Sequence, residues 1–303
     1  FKTIDMEPFA AASIGQIHRA ELNDGSKVVI KIIKSDFEAS FKRDVRRMKR
    51  WIRMGLFFRP RLRQVGNPIG LLAHIEDYTL RELNLLNEID GRDQLIAHAE
   101  TIEQHFSMPK LKFPKMWNEL SNEHILVMEE ITHPTLEDHL EAGTLTWTDM
   151  LELFRIHGAF MFGLGTFHGD LHPGNAMMDD KGNFLFIDTG AICNAPEHVR
   201  NALFGFFYFL AKGELRNAFD SMLTMAAVRP TGKTLQTYYD SMNELYAGFV
   251  GTSVSEVSLT EQMMKTDTAA GLAGCAFGEE AFPISRSLMY MDGMVQKGHP
   301  HVD

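Results

Sequence analysis

Apolar and polar residues in the first hundred positions follow β-type runs and then helical periodicity. Two runs rich in β-branched residues, 14–22 and 28–33, flank the segment 23–26 (NDGS). An Asp-Gly pair between two such runs is typical of a β-hairpin turn. At about residues 36–54 apolar residues recur every three or four positions, and a second helix is predicted at about 72–99. The chain therefore begins with a hairpin that leads into helices.

A strand and a series of helices are predicted for the rest of the chain. Residues 125–129 (ILVME) predict a buried strand, and His133-Pro134 marks a break after it. Thr146 and Asp149 have the spacing of a helix capping box, which predicts a helix from Met150 to Phe167. Later apolar patterns predict further helices at 199–212, 215–227 and 235–250.

The predicted strands concentrate before the break and the predicted helices after it, which indicates an α+β fold with two parts, residues 1–133 and 134–303. The 303 residues, 45% of them hydrophobic, can bury a sizeable core. A formal net charge of −10 disfavours nucleic-acid binding by the surface as a whole.

Cysteine usage and the chain start bear on the compartment. Two cysteines form neither a disulfide framework nor a metal cluster, which favours a reducing environment. No charged-then-apolar leader follows Phe1, so a processing boundary is expected there. We therefore expect an intracellular protein, cytoplasmic or peripheral to a membrane (the bacterial inner membrane or that of an organelle).

Residues 42–63 form a basic segment in a chain whose net charge is negative. Asp44 is the only acid between residues 42 and 53. The cations of this segment are Lys42, Arg43, Arg46, Arg47, Lys49, Arg50, Arg53, Arg59, Arg61 and Arg63. Two interpretations stay open, a solvated helix face or a surface for an anionic membrane or partner.

The segment 168–175 (HGDLHPGN) carries candidate catalytic chemistry. Asp170 and Asn175 have the H-x-D-x-x-x-x-N spacing of a phosphotransferase loop, and Asp188 closes an apolar run where such proteins carry a metal-binding aspartate. Asp170 is suited to accept or orient a hydroxyl proton. Asn175 and Asp188 offer oxygen ligands to Mg²⁺. Zinc binding by His168 and His172 is disfavoured, because Pro173 and Gly174 oppose the helix that i, i+4 ligands require.

A small-residue loop between a short β-like start and the predicted hairpin is the candidate phosphate cover. In isolation the segment predicts an ordinary turn or the start of a helix, but its position before a strand lysine favours phosphate binding, because small side chains let backbone amides approach phosphate oxygens. Its candidate ATP-binding residues are Ala10, Ala11, Ala12, Ser13, Ile14, Gly15 and Gln16.

A lysine in the second hairpin strand is the candidate phosphate-orienting group. Lys31 interrupts the otherwise apolar run VVIKII, and a flexible ammonium needs a fixed carboxylate partner. Glu88 is the candidate partner. Glu129, at the end of the strand before the break, completes the ATP-binding candidates.

These features together resemble the UbiB/AarF-type atypical kinases, also called aarF-domain-containing kinases, over nearly the whole chain. Residues 8–20 (PFAAASIGQIHRA) look like the Ala-rich nucleotide loop of that family, and HGDLHPGN looks like its HADPHPGN catalytic loop. The resemblance implies a protein-kinase-like two-lobe fold, a sheet-containing N-lobe, a mainly helical C-lobe, and ATP with Mg²⁺ as cofactors. It also implies ATP hydrolysis or phosphoryl transfer linked to ubiquinone or other isoprenoid-quinone lipids.

The sequence departs from the family pattern at several positions. Glu82-Leu83-Asn84 stands where E-x-D is usual, which leaves Glu82 as a regulatory candidate and puts the contacts of Asn84 in doubt. Thr189 replaces the usual phenylalanine after Asp188, which removes an aromatic packing group. The K-x-G-Q segment and hydrophobic C-terminal helices of family members are not found, so a kinase-like core without its regulatory extension is expected.

Two other functions compete with this one. An HGD-x-H-x-x-N pattern also occurs in small-molecule phosphotransferases of the aminoglycoside or choline kinase type, although the Ala-rich loop argues against them. A nucleotide-gated binding module with little turnover is the second, because alanines disfavour the positive φ values of glycine loops and could form a stiffer cover.

Overall fold

A computed structural model describes residues 1–11, 15–33, 37–58, 68–253, 256–278 and 281–302. The described residues form ten strands and ten α-helices. The strands are β1 (Thr3–Ile4), β2 (Ala10–Ala11), β3 (Gly15–Glu21), β4 (Lys27–Ile33), β5 (Leu111–Lys112), β6 (Ile125–Glu129), β7 (Thr166–His168), β8 (Ala176–Met178), β9 (Phe184–Phe186) and β10 (Ile192–Asn194). The helices are α1 (Phe37–Phe58), α2 (Pro68–Glu82), α3 (Leu86–Glu103), α4 (Leu136–Ala142), α5 (Trp147–Gly158), α6 (Glu197–Ala211), α7 (Leu215–Met225), α8 (Lys233–Leu245), α9 (Leu259–Leu272) and α10 (Ala281–Gly298).

The first of two compact units holds an antiparallel sheet. It comprises residues 1–94, 113–132 and 188–191. Its strands follow the order β1-β3-β4-β6, and β2 pairs with the N-terminal half of β3. The predicted hairpin is confirmed, since β3 and β4 pair along their whole length around a turn in which Gly25 has a φ of +88°.

Alternation along the strands explains where Lys31 lies. Val28 and Ile30 of β4 join a buried apolar cluster with Trp117 and with Val127 of β6. Lys31 follows Ile30 and therefore belongs to the opposite face of the pleat. Lys31 pairs with Leu126 of β6. Because β4 lies between β3 and β6, the Lys31 side chain extends from a central strand of the sheet.

The predicted helix at 72–99 is wrong as a single helix. The structure has α2 and α3, separated at residues 83–85. Leu83 and Leu85 are buried at this break, and Asn84 Oδ1 accepts a hydrogen bond from the Leu86 amide at 3.1 Å. Asparagine is a favoured residue for capping a helix N-terminus, so the residue that departs from E-x-D starts α3.

The second unit is mainly helical and comprises residues 95–112, 133–187 and 192–303. It also holds two small sheets, β5-β9-β8 and β7-β10. The capping box of Thr146 and Asp149 is confirmed at the start of α5. The division of the chain at residue 133 stays a prediction.

The helix predicted to run to Phe167 ends earlier. After α5, residues 159–164 form a π-helical turn, and Gly165 with a φ of +83° ends it. The Gly165 amide donates to the Phe160 carbonyl at 2.9 Å. Phe167 lies in β7, because the left-handed backbone of Gly165 redirects the chain into a strand. Among the described helices, none is both long and apolar enough to cross a bilayer.

Replacing Gly15 by alanine should destabilise the sheet. A Cβ at Gly15 would lie 2.2 Å from the Ile32 carbonyl oxygen, so β3 or β4 must shift. We expect a loss of about 1–3 kcal/mol in the free energy of unfolding, measured by urea denaturation. Gly55→Ala in α1 is the matched control, since nothing lies within 4 Å of its added Cβ. Equal stability of Gly15→Ala and the wild type would contradict the close approach.

Candidate active site

Three charged side chains meet in the first unit, from chain segments far apart in sequence. Lys31 Nζ of β4 donates to Glu88 Oε1 of α3. The same ammonium lies 3.2 Å from Asp188 Oδ2. The structure therefore brings together the lysine, its predicted glutamate partner and the predicted metal-binding aspartate.

Burial and mutual charge interactions shift the pKa values of Lys31 and Glu88. The side chains of Lys31 and Glu88 are 15% and 6% exposed, whereas that of Asp188 is 38% exposed. Burial disfavours the ammonium, but Glu88 and Asp188 outweigh that effect and raise the pKa of Lys31. Burial raises the pKa of Glu88, and the charge of Asp188 adds to the rise, while Lys31 opposes it.

One carboxylate oxygen of the cluster has no hydrogen-bond partner. Lys31 contacts two carboxylates, and Glu88 Oε2 is buried without a hydrogen-bond partner in the part of the chain that the structure describes. Such an orphaned oxygen is costly without a donor or cation. The donor set therefore fits a site that a ligand or metal completes.

Thr189 is a site residue whose role the sequence did not reveal. Its side chain is fully buried, and its hydroxyl donates to the Glu88 carbonyl at 2.6 Å. The hydrogen bond ties the segment after Asp188 directly to α3. The threonine that replaces the usual aromatic residue thus supplies a polar link between Asp188 and Glu88. A hydroxyl residue beside a candidate metal ligand was the only sequence signal for it.

Glu82 lies at the end of α2, six residues before Glu88. Burial is the main cause that raises the pKa of Glu88, and the charge of Glu82 contributes a smaller part. The two acids are therefore electrostatically linked. The regulatory role of Glu82 stays a prediction.

The Ala-rich segment forms the two sides of a second hairpin. Ala10 and Ala11 form β2, which pairs with residues 16 and 17 of β3. Ala12, Ser13 and Ile14, between these strands, lie outside the described residues. Gly15 begins β3, and its backbone packs against Ile32. Gln16 is exposed on β3. Nucleotide binding by these residues stays a prediction.

Glu129 ends β6 and is bonded to the segment before that strand. Its Oε2 accepts from the Lys115 amide at 3.1 Å, and its own amide donates to the Lys115 carbonyl at 2.8 Å. Its predicted contact with ATP is not tested by this geometry.

The predicted catalytic loop lies in the second unit, between β7 and β8. Asn175 Nδ2 donates to the Asp170 carbonyl at 3.0 Å and to Asp170 Oδ2 at 3.3 Å. The amide nitrogen therefore faces Asp170. The two predicted functional groups are held next to each other by the loop itself.

The two histidines of the loop bind backbone amides. His168 Nδ1 accepts from the Asp170 amide at 3.2 Å, and His172 Nδ1 accepts from the Gly174 amide at 3.1 Å. The second bond caps a 3₁₀ turn at Pro173–Asn175. Both rings stabilise the turn that presents Asp170.

The donor set suits magnesium bound together with phosphates. Among the described residues, no group of three or more His, Cys, Asp or Glu side chains could form a complete metal cage. Mg²⁺ commonly binds one or two carboxylates plus substrate phosphates and waters rather than such a cage. Magnesium binding by Asp188 and by Asn175 stays a prediction.

Comparison with known proteins identifies the class. Residues 1–222 match the model of the ABC1 atypical kinase-like domain. The chain belongs to this family, which confirms the predicted atypical kinase class and the UbiB/AarF resemblance.

Curated relatives carry names of the same kind. A "Probable protein kinase UbiB" of Sodalis glossinidius (strain morsitans) is 25% identical over 315 residues, with 100% of this chain and 56% of the relative covered. A protein of the same name from Aeromonas salmonicida (strain A449) is 25% identical over 312 residues, again with 100% and 56% covered. The chain thus spans little more than half the length of these relatives.

A solved structure supports the fold. The Rv3197–erythromycin complex from Mycobacterium tuberculosis is 18% identical and has a TM-score of 0.61, with 99% of this chain and 78% of that chain covered. The predicted kinase-like α+β fold is confirmed.

Replacing Lys31 by methionine should destabilise the protein in a pH-dependent way. Without the ammonium, two close carboxylates remain, and removing one partner of a buried pair costs about 3 kcal/mol. Burial and mutual repulsion would raise the pKa of both acids, so the loss relative to wild type should shrink from about pH 8 to about pH 5 as a proton is taken up.

Urea denaturation at both pH values checks this expectation. Lys2→Met is the control, because Lys2 pairs with Glu21 but is 61% exposed and should contribute at most about 1 kcal/mol. A loss for Lys31→Met that is equal at both pH values would contradict the proposed carboxylate repulsion.

Proposed function

We propose that the protein binds ATP with Mg²⁺ and hydrolyses it or transfers its γ-phosphoryl group. The observation that carries this proposal is the Lys31–Glu88–Asp188 cluster, in which a strand lysine is held by a helix glutamate beside an aspartate. This is the arrangement in which kinase-like proteins orient phosphates and bind the metal. Family membership supports the same activity.

Each residue has a distinct task in this proposal. Lys31, held by Glu88, orients the α- and β-phosphates as a point charge. Asp188 and Asn175 bind Mg²⁺, which neutralises charge on the phosphates. Asp170 orients the attacking hydroxyl or water and accepts its proton. The hydrogen bond from Thr189 to the Glu88 carbonyl keeps Glu88 next to the segment that carries Asp188.

The acceptor, we propose further, is reached at an anionic membrane surface, in support of ubiquinone or other isoprenoid-quinone lipid metabolism. Exposed arginines of α1, among them Arg46, Arg47 and Arg50, alternate with exposed apolar side chains. Trp51 and Phe57 are 67% and 78% exposed. Cations beside exposed aromatic residues suit the interface of an anionic bilayer. Arg59, Arg61 and Arg63 of the basic segment lie outside the described residues.

Asp188→Asn should abolish the stabilisation of the protein by MgATP. Ligand at about a hundredfold over Kd stabilises by roughly 2.7 kcal/mol, which thermal melting detects. Asp170→Asn is the matched variant, because it should keep the MgATP shift while turnover falls by about 10²-fold or more. ATP with EDTA in place of magnesium controls for metal dependence.

The outcomes separate the assignments. A MgATP shift that survives in Asp188→Asn would reject this residue as metal ligand. No shift in the wild type would contradict the proposed function. Turnover only with a soluble alcohol or aminoglycoside would favour a small-molecule phosphotransferase, and a shift without turnover would favour a nucleotide-gated module.

Replacing Arg46, Arg47 and Arg50 with glutamine should weaken binding to vesicles of phosphatidylcholine and phosphatidylserine. Each cation near such a surface contributes about 1 kcal/mol, so partitioning should fall about a hundredfold in a co-sedimentation assay. A charge-matched control replaces Arg216, Lys233 and Lys265, which are exposed cations of the second unit. Equal losses in both triple variants, or none in the first, would reject α1 as the membrane surface.

A further inference from the structure

The helix α10 contacts the predicted catalytic loop with three side chains, although it lies beyond the residues that match the family model. Arg286 and Ser287 donate to the carbonyls of two consecutive residues, Gly169 and His168. One turn later, Tyr290 meets the ring of His172 edge-on at 5.5 Å. The loop that presents Asp170 is therefore bordered by α10 along several residues.

Arg286 makes the most specific of these contacts. Its Nη2 and Nε atoms donate to the same Gly169 carbonyl oxygen at 2.8 and 3.1 Å. A planar guanidinium that bonds through two nitrogens fixes its acceptor in direction as well as in distance. Gly169 directly precedes Asp170, so the bond holds the peptide plane from which Asp170 extends.

Ser287 extends the contact to a buried histidine of α5. Its Oγ lies 2.8 Å from His157 Nε2, and it donates to the His168 carbonyl at 3.4 Å. Complete burial, and the neighbouring His168, lower the pKa of His157 to about 3, so this ring is neutral at physiological pH. Uncharged hydrogen-bonding groups thus connect α5 through Ser287 of α10 to β7, the strand before the loop.

Residues 169–172 lie outside any strand or helix. The order of such a segment depends on contacts with its surroundings. Bonds within the loop connect Asp170 to Asn175, but they do not fix the loop relative to the helices. Contacts from α10 add such a connection through the Gly169 and His168 carbonyls.

We propose that Arg286 is a positioning residue for phosphoryl transfer, which holds the Gly169 carbonyl so that Asp170 faces the attacking hydroxyl or water. The inference rests on the proposed function. It assigns a task in that reaction to a helix beyond residues 1–222. Arg286 acts through the loop backbone and has no part in nucleotide binding by the Lys31–Glu88–Asp188 cluster.

The test is steady-state turnover of MgATP by the complete protein, with Arg286→Met, which keeps an apolar stem and removes the guanidinium. We expect kcat to fall between about tenfold and a hundredfold, the scale of a misplaced catalytic group. The KM for MgATP and the melting shift with MgATP should stay within about twofold of wild type. Arg286→Lys restores one donor and should recover part of kcat.

Arg229→Ala is the matched control. Its guanidinium also donates to a backbone carbonyl, that of Thr224 at 3.2 Å, but away from the catalytic loop, so kcat should be unchanged. Hydrogen exchange at the Asp170 amide gives a second readout, since Arg286→Met should speed exchange there and Arg229→Ala should not.

The outcomes distinguish the two proposals. A wild type without turnover overturns the proposed function and this inference together. Turnover in the wild type with unchanged kcat or unchanged loop exchange in Arg286→Met overturns the inference alone. If Arg286→Met fails to fold, Arg286→Gln is judged by the same criteria.

Discussion

The ammonium of Lys31 is the group on which the candidate site depends. A lysine in a central strand is costly unless carboxylates meet it, and here they come from positions 57 and 157 residues away along the chain. The sheet, the start of α3 and the segment after β9 must therefore all be in place before all three charges have their partners. The ion pairs that connect these segments are also the ones that position the residues of the candidate site.

The cluster is not arranged for maximum stability. Two carboxylates contact one ammonium, and one buried carboxylate oxygen, Glu88 Oε2, has no hydrogen-bond partner among the described residues. Such arrangements are common where a protein gives up stability for function. Thr189 and Asn84 differ from Glu88 Oε2, since each makes a side-chain hydrogen bond, one to the Glu88 carbonyl and one to the Leu86 amide at the start of α3.

Much of this organisation could be predicted from local sequence. The hairpin follows from its Asp-Gly turn, and the start of α5 follows from its capping box. The need of a buried ammonium predicts a carboxylate partner for Lys31, although that need alone does not select Glu88 over Glu82. The break before α3 was missed, because apolar periodicity continued through Asn84 and concealed its capping role. Arg286 was missed for another reason, since nothing local to α10 indicates which distant carbonyl its guanidinium will meet.

The π-helical turn before β7 has a consequence for how the chain tolerates changes in length. A π-helical turn carries one more residue than an α-helical turn, and it is followed at once by the strand that ends at His168. Because the extra residue is accommodated within this one turn, deleting one residue within 159–164 should convert the turn to regular α-helix and leave Gly165 and β7 in place. Deleting a residue of β7 itself would have a different effect, because side chains alternate along a strand and those of β7 would change faces relative to β10. The chain should therefore tolerate a shorter segment at 159–164 and not at the strand that follows it.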